Sequence, residues 1–237
     1  MCIRDSAEVG LGMGYAPHEF AGFGIPLTRR VSLMEEGLEV LRRAFSGEEF
    51  TFHGKRYEFN NVKITPGYVQ AGGPPMWIAA MSAGGARRAA RFNAHFLPQG
   101  DRSQTLDVWH AEHKAAGTST QDKRVGIIKG VFVTDDVERE WPQVRDSERY
   151  RMGLYQRLFS ESNTDFGAGE HIPQTWVVGD VAHCVRELSD FMRTFGVTDL
   201  VTWGIPPGLS SQVMAQSLER FVTQVVPQLR AELTRGP

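Results

Sequence analysis

The feature that most constrains this chain is an alternation of short apolar runs with longer stretches of helical periodicity. Met76-Trp77-Ile78-Ala79-Ala80, introduced by Pro74-Pro75, is a continuous apolar run of the kind found in strands buried on both faces of a parallel sheet. Ser82 then stands where a helix cap is needed, and the helix from Ala83 to Phe92 carries Ala86, Ala89 and Ala90, small enough for close packing on a sheet. Ala94 to Leu97 predicts another strand, Ser103 to Ala116 a polar helix, and Arg124 to Val133 a longer strand. Asp180 caps a helix bearing Val181, Val185, Leu188, Met192 and Phe195, after which Gly196 turns the chain into the strand Asp199 to Trp203. The last helix has Met214, Leu218, Phe221, Val225 and Leu229 on one stripe, with Pro227 bending it. Such a series calls for a parallel sheet covered by helices. Right-handed crossovers leave two architectures, an open doubly wound sheet or a closed barrel, and the pattern does not choose between them.

The N-terminal part adds to this series. Residues 7–14 predict the end of a short strand running into a glycine turn. Thr28 is placed to cap a helix with Val31, Met34, Leu38, Leu41 and Phe45 on one face, and Gly47 to end it. Phe50 to Phe59 alternates aromatic and polar residues around His53-Gly54, which predicts a small surface hairpin. Residues 160–173 lack periodicity and predict a long loop, able to close over a site as a lid.

At 237 residues and 41% apolar content the chain suffices for one domain, taken as residues 7–237. Residues 1–6 are short and charged and lead abruptly into glycine-rich sequence, so a leader or an assembly scar is expected there. A formal net charge of −2 supplies no basic field for nucleic acid or an anionic membrane, so a small organic molecule is the expected partner. Two cysteines, Cys2 and Cys184, match no metal or disulfide framework, and with no long apolar run they predict a cytoplasmic protein.

An ordered set of local sequences resembles the luciferase-like (bacterial-luciferase-like) family. Val9-Gly10-Leu11-Gly12-Met13-Gly14-Tyr15, Glu19-Phe20 and Gly24-Ile25-Pro26 resemble its fourth strand and the loop after it. Arg30, Glu35-Glu36 and Leu38 resemble the next helix, and Phe52-His53-Gly54-Lys55-Arg56-Tyr57 the hairpin that interrupts the barrel. Pro74-Pro75-Met76-Trp77-Ile78 is similar to its fifth strand, Ala89-Ala90-Arg91 to the following helix, Val178-Gly179-Asp180 to the start of the seventh helix, and Leu218-Glu219-Arg220-Phe221 with Val226-Pro227 to the C-terminus. The resemblance implies an α/β fold of (β/α)8 TIM-barrel type, incomplete, with about five of the eight strands present and the hairpin as an insertion.

It also implies a flavin at the C-terminal mouth of the barrel. The cofactor is then FMN, used with molecular oxygen in a monooxygenase acting on a small organic substrate, or the deazaflavin coenzyme F-420, used for hydride transfer. A flavin reductase supplying reduced flavin and a homo-oligomer are further expected partners. A third expectation is an inactive fragment or non-catalytic barrel subunit, since missing strands would leave exposed sheet edges. The residues expected to hold the cofactor are Gly10, Gly12, Gly14 and Tyr15 after one strand, and Ala80, Met81, Ser82, Ala83 and Gly84 after another. At the second, free N–H groups of a helix N-terminus favour a phosphate. Each has a plainer alternative, Ser82 as an N-cap only and the glycines as a tight turn. His95 replaces the glycine of the family's Ala-Asp-Gly run and is either a catalytic acid or base or a hydrogen-bonded core residue. His18 faces the pocket or the surface, and Arg29 and Arg30 hold an anionic tail or pair with Glu35 and Glu36. His110 and His113 have helical spacing for a metal but no third ligand, so no metal site is expected.

Overall fold

The structure, a computed structural model, describes residues 7–70, 72–99, 102–159, 175–202 and 209–234. The segment 1–6, the expected lid at 160–173 and Trp203 lie outside the described residues. The chain divides into two contact units, Met1–Val125 and Gly126–Pro237.

In the first unit β1 (Val9–Leu11), β4 (Met76–Ala80) and β5 (His95–Pro98) form a parallel sheet in that order, with Val9 opposite Met76 and Trp77 opposite His95. A further parallel bridge joins Phe96 to Val125. Strand order follows chain order here, as successive β/α units of a barrel require, whereas a doubly wound sheet reverses at a switch point. Between β1 and β4 lie α1 (Pro17–Gly22), α2 (Arg30–Ala44) and an antiparallel hairpin of β2 (Phe50–His53) with β3 (Glu58–Val62). Helices α3 (Ala83–Arg91) and α4 (Arg102–Ala115) follow β4 and β5.

Packing explains this arrangement. Ala86 and Ala89 are fully buried, and a Cβ on Gly85 would lie 2.5 Å from the Ala80 Cβ, so α3 approaches the sheet closely only because that residue is glycine. Phe96, fully buried, stacks on Trp109 of α4 with ring centroids 5.6 Å apart. One sheet face is thus covered by helices through Ile78, Ala80 and Phe96. Side chains alternate along a strand, so the opposite face carries Gly10, Trp77 and His95 in one row and Gly12, Ala79 and Leu97 in the next.

The second unit pairs β6 (Gly126–Ile128) with β9 (Asp199–Val201) and β7 (Gly130–Val133) with β8 (Trp176–Gly179), both parallel. Its helices are α5 (Val137–Phe159), α6 (Val181–Phe195), α7 (Ser211–Arg220) and α8 (Val226–Thr234). Phe132, Trp141, Val144, Trp176, Val178 and Met214 make one core, with Trp141 edge-on to Trp176 at 5.5 Å.

Several local expectations change. Thr28 does not cap α2; it sits inside a 3-10 turn, Leu27–Arg29, that leads straight into the helix, and Arg29 at the N-cap makes no side-chain cap bond. Arg29 and Arg30 do not pair with Glu35 and Glu36. Glu35 pairs instead with Arg88 at 3.2 Å and Arg91 at 3.0 Å, and Glu36 accepts the backbone N–H groups of Lys55, Arg56 and Tyr57 at the hairpin turn. Those hydrogen bonds hold the Glu36 carboxyl below the usual carboxylate range against its own desolvation. The strand at Trp176–Gly179 and the helix at Val137–Phe159 are additional to the elements read from sequence. Pro227 is the second residue of α8, which follows a π-helical turn, Phe221–Val225, closed by the Val226 N–H donating to the Phe221 carbonyl. Asp180 caps α6 as expected, accepting the His183 N–H at 2.7 Å, and Gly196 closes it with φ 60°.

Candidate cofactor site at the C-terminal strand ends

Where β1 and β4 end, two sets of expected residues leave the sheet side by side. The parallel register puts Leu11 opposite Ile78, so Gly12 follows beside Ala79, with a built Cβ 4.0 Å from that residue's own. A Cβ on Gly10 or Gly84 would meet nothing within 4 Å. Among the described residues the protein therefore does not need glycine at these positions for its own packing. Gly14 differs. Its φ of +69° and the Phe20 ring 3.0 Å from a built Cβ both require glycine, so this residue makes the turn. Tyr15 follows it, 41% exposed.

At the end of β4 the chain passes through exposed Met81 to Ser82, which is extended and caps α3. The Ser82 carbonyl accepts the first intrahelical bond, from Ala86 at 3.0 Å, and its hydroxyl accepts the Gly85 N–H at 3.4 Å, long for such a bond. The N–H groups of Ala83 and Gly84 lie ahead of both and remain for an anion. Ser82 is thus a cap, and the same turn also suits a phosphate. Ala80, the last residue of β4, packs its Cβ against α3, and its carbonyl accepts the Gln99 N–H at 2.8 Å.

His95 is the first residue of β5, at the end of the strand opposite to these loops. Its ring lies 4.8 Å from that of Trp77, and its Nδ1 accepts the Arg124 N–H at 3.1 Å, which in the neutral form leaves the proton on Nε2. Glu8 accepts from the Trp77 indole at 2.6 Å and the Arg124 guanidinium at 2.5 Å, and that guanidinium stacks over Trp77 at 4.8 Å. His95 belongs to this clamp, one row below Gly12, Ala79 and Leu97. His95 is thus half-buried and hydrogen-bonded at the N-terminal end of its strand, the end that in barrels serves stability.

The other histidines separate from the site. His18 is exposed on α1. His113 is buried against Trp109, with Nδ1 2.7 Å from the Thr118 hydroxyl, while His110 is exposed. Burial, then the nearby positive groups of Lys123 and His110, pushes the His113 pKa down, so a neutral ring is favoured. Among the described residues no three His, Cys, Asp or Glu side chains converge as a metal set. Cys184 is buried, and desolvation pushes its thiol up to about 11, which makes it unreactive.

Two features were not read from the sequence. A largely apolar groove of about 440 Å³ runs along α2, bounded by Leu11, Met13, Phe20, Met34, Tyr57 and Phe59, on the helix-covered side of β1. The buried Nε of Arg102, in α4, has no hydrogen-bond partner among the described residues.

The parallel strands of the first unit, in chain order with helices after them, match the β/α-barrel type of fold, in which ligand sites lie at the C-terminal strand ends. Comparison with known proteins makes the class specific. The profile of the luciferase-like monooxygenase family matches residues 6–199, and the chain belongs to that family. Solved structures it resembles include the monooxygenase RslO1 from Streptomyces bottropensis (TM-score 0.75, 20% identity, 93% of this chain and 68% of that one). Another is an F420-dependent secondary alcohol dehydrogenase in complex with an F420-acetone adduct (0.73, 16%, 94% and 69%). A third is the oxygenating constituent of 3,6-diketocamphane monooxygenase from the CAM plasmid of Pseudomonas putida, in complex with FMN (0.68, 16%, 93% and 70%). These likenesses establish an incomplete TIM-barrel-type α/β fold. The chain spans less than half the length of the curated relatives it matches, for example 44% of one from Sinorhizobium fredii at 27% identity over 157 residues. No helix among the described residues is long and apolar enough to cross a membrane.

Proposed function

We propose that this chain carries the flavin-binding face of an FMN-dependent monooxygenase that oxidises a small organic substrate with molecular oxygen in the cytoplasm. The observation that carries this reading is the open cradle at the C-terminal strand ends, where Gly12 faces Ala79 and the Ala83 and Gly84 amides stand free beside Ser82. When bound, reduced FMN supplies the oxygen chemistry. The protein binds, orients and excludes water. Ser82 and the two amides hold the phosphate, Gly10 and Gly12 let the backbone lie close to the ring or ribityl chain, and Tyr15 offers a hydroxyl and an aromatic face. A flavin reductase as the source of reduced flavin, and self-association into a homo-oligomer, complete the proposal.

Coenzyme F-420 is the second reading, favoured by the likeness to the F420-dependent alcohol dehydrogenase. It replaces oxygen chemistry by hydride transfer at the same face. Titration of the purified chain with FMN and with F-420, followed by absorbance, separates the two because the chromophores differ. Binding of FMN supports the first reading and binding of F-420 alone the second. Failure of both in a folded sample supports a non-catalytic chain instead.

A further inference from the structure

The groove along α2 has the properties of a surface that meets a copy of itself. Arg30, Leu33, Met34, Gly37, Val40 and Leu41 line it at intervals of three and four residues, one stripe of the helix, and its apolar side chains remain partly exposed. Gly37 lies at the middle of α2, about 10 Å from Arg30 at one end and Ala44 at the other. A Cβ built on it meets, among the described residues, only the Tyr57 ring, at 3.7 Å, an ordinary contact. Alanine therefore fits there within the chain, and glycine in a helix interior costs helix stability. What glycine supplies is a low point at the centre of the stripe. A second helix can lie close at such a point, because the side chains at the contact set the distance between packed helices.

The two ends of the stripe carry opposite charge. Arg29 and Arg30 open α2, and Glu48 and Glu49 follow its end. Arg29, Glu48 and Glu49 are exposed and Arg30 partly so, and none of these side chains has an ion-pair or hydrogen-bond partner among the described residues. Arg42 and Arg43, nearer the C-terminal end, are already paired with Glu39 at 2.9 and 3.1 Å. Two copies of α2 laid antiparallel about a two-fold axis at Gly37 bring the arginines of each copy to the glutamates of the other. The same arrangement sets those cations near a helix C-terminus, where the dipole favours them. A two-fold interface requires a patch that complements itself, and a stripe that is basic at one end, acidic at the other and low at its centre meets that requirement.

We infer that two copies of this chain associate through the α2 groove, antiparallel about Gly37. The inference gives the self-association proposed above its surface and rests on that part of the proposal alone, independently of the flavin reading.

Sedimentation equilibrium over a range of protein concentrations tests it. Gly37→Leu fills the centre of the stripe. Arg29→Glu with Arg30→Glu makes both ends acidic, Glu48→Arg with Glu49→Arg makes both basic, and a combined variant exchanges the two sets. The inference expects a wild-type dimer, weakened at least about tenfold by Gly37→Leu and by either charge set alone, and largely recovered in the combined variant. At concentrations where wild type is monomeric, the charge variants melt within a few degrees of it, because the altered side chains have no partner within the chain. A wild type that stays monomeric at every concentration overturns the inference together with the proposed homo-oligomer. A dimer indifferent to Gly37→Leu or to either charge set overturns this surface and leaves the homo-oligomer standing. Failure of the combined variant to recover the dimer also overturns it, as does a large fall in the melting temperature of the charge variants, which assigns those side chains to the chain's own fold. A dimer that follows the expected pattern while the chain binds no flavin upholds the inference and refutes the flavin reading.

Discussion

At Gly12 a built Cβ meets, among the described residues, only the Ala79 Cβ, at 4.0 Å. A Gly12→Val substitution places β-branched bulk there without a backbone clash, so the fold persists and the ligand loses space. Flavin affinity is expected to drop by about tenfold or more while the melting temperature of the ligand-free protein stays within a few degrees, read by fluorescence titration and calorimetry. His113 acts on stability instead. Its folded pKa is lowered, so on acidification the unfolded chain takes up the proton first and stability falls as pH drops below about 6.5. Melting temperature measured from about pH 7.5 to about 5.5 should decline, and the decline should be smaller in His113→Gln. Among single residues, Ser82 and Asp180 were legible as caps because each is a capping residue type standing directly before a helical stripe. Thr28 was misleading, since proline at position 26 sets a 3-10 turn that makes a capping side chain unnecessary. His95 carried two readings in the sequence, and only the register with Trp77 assigns it to the end of the strand away from the loops.

At the level of elements, the contact of α3 with β4 depends on small residues. Gly85→Ala forces a Cβ to within 2.5 Å of Ala80, and the helix must shift. The substitution is expected to cost about 1–3 kcal/mol despite alanine's better helix propensity, measured by urea denaturation. An unchanged midpoint would show that α3 can move outward freely. Helix α2, β4, α3, β5 and α4 were legible because their periodicity is strong and their ends are marked by proline, glycine or a cap. The four-residue strand Trp176–Gly179 was hidden as a lead-in to the Asp180 cap, and becomes a strand only through its pairing with Gly130–Val133. Helix α5 was hidden by charge and by Pro142, and its Trp141 and Val144 acquire meaning only against Trp176. Glu35 and Glu36 show the same limit: local spacing suggested partners one turn away, while the structure uses residues from α3 and the hairpin turn.

At the level of the whole molecule, a ligand that binds only the folded chain stabilises it by mass action. FMN at about one hundred times its dissociation constant is expected to add about 2.7 kcal/mol, a rise of several degrees in melting temperature, and F-420 to add little if the first reading holds. Equal protection by both cofactors would leave the face unselective, and protection by F-420 alone would reverse the assignment. The alternation of apolar runs and helical stripes was enough to specify a parallel α/β fold, because it reflects the burial each element needs and is written locally in the order of residues. The ordered resemblance carried this to the barrel type. Which side of each strand faces the helices, and which residues of β1, β4 and β5 stand side by side, depend on register and on contacts between distant residues. Those are decided by tertiary packing, since no residue's neighbours across a sheet are encoded in its neighbours along the chain.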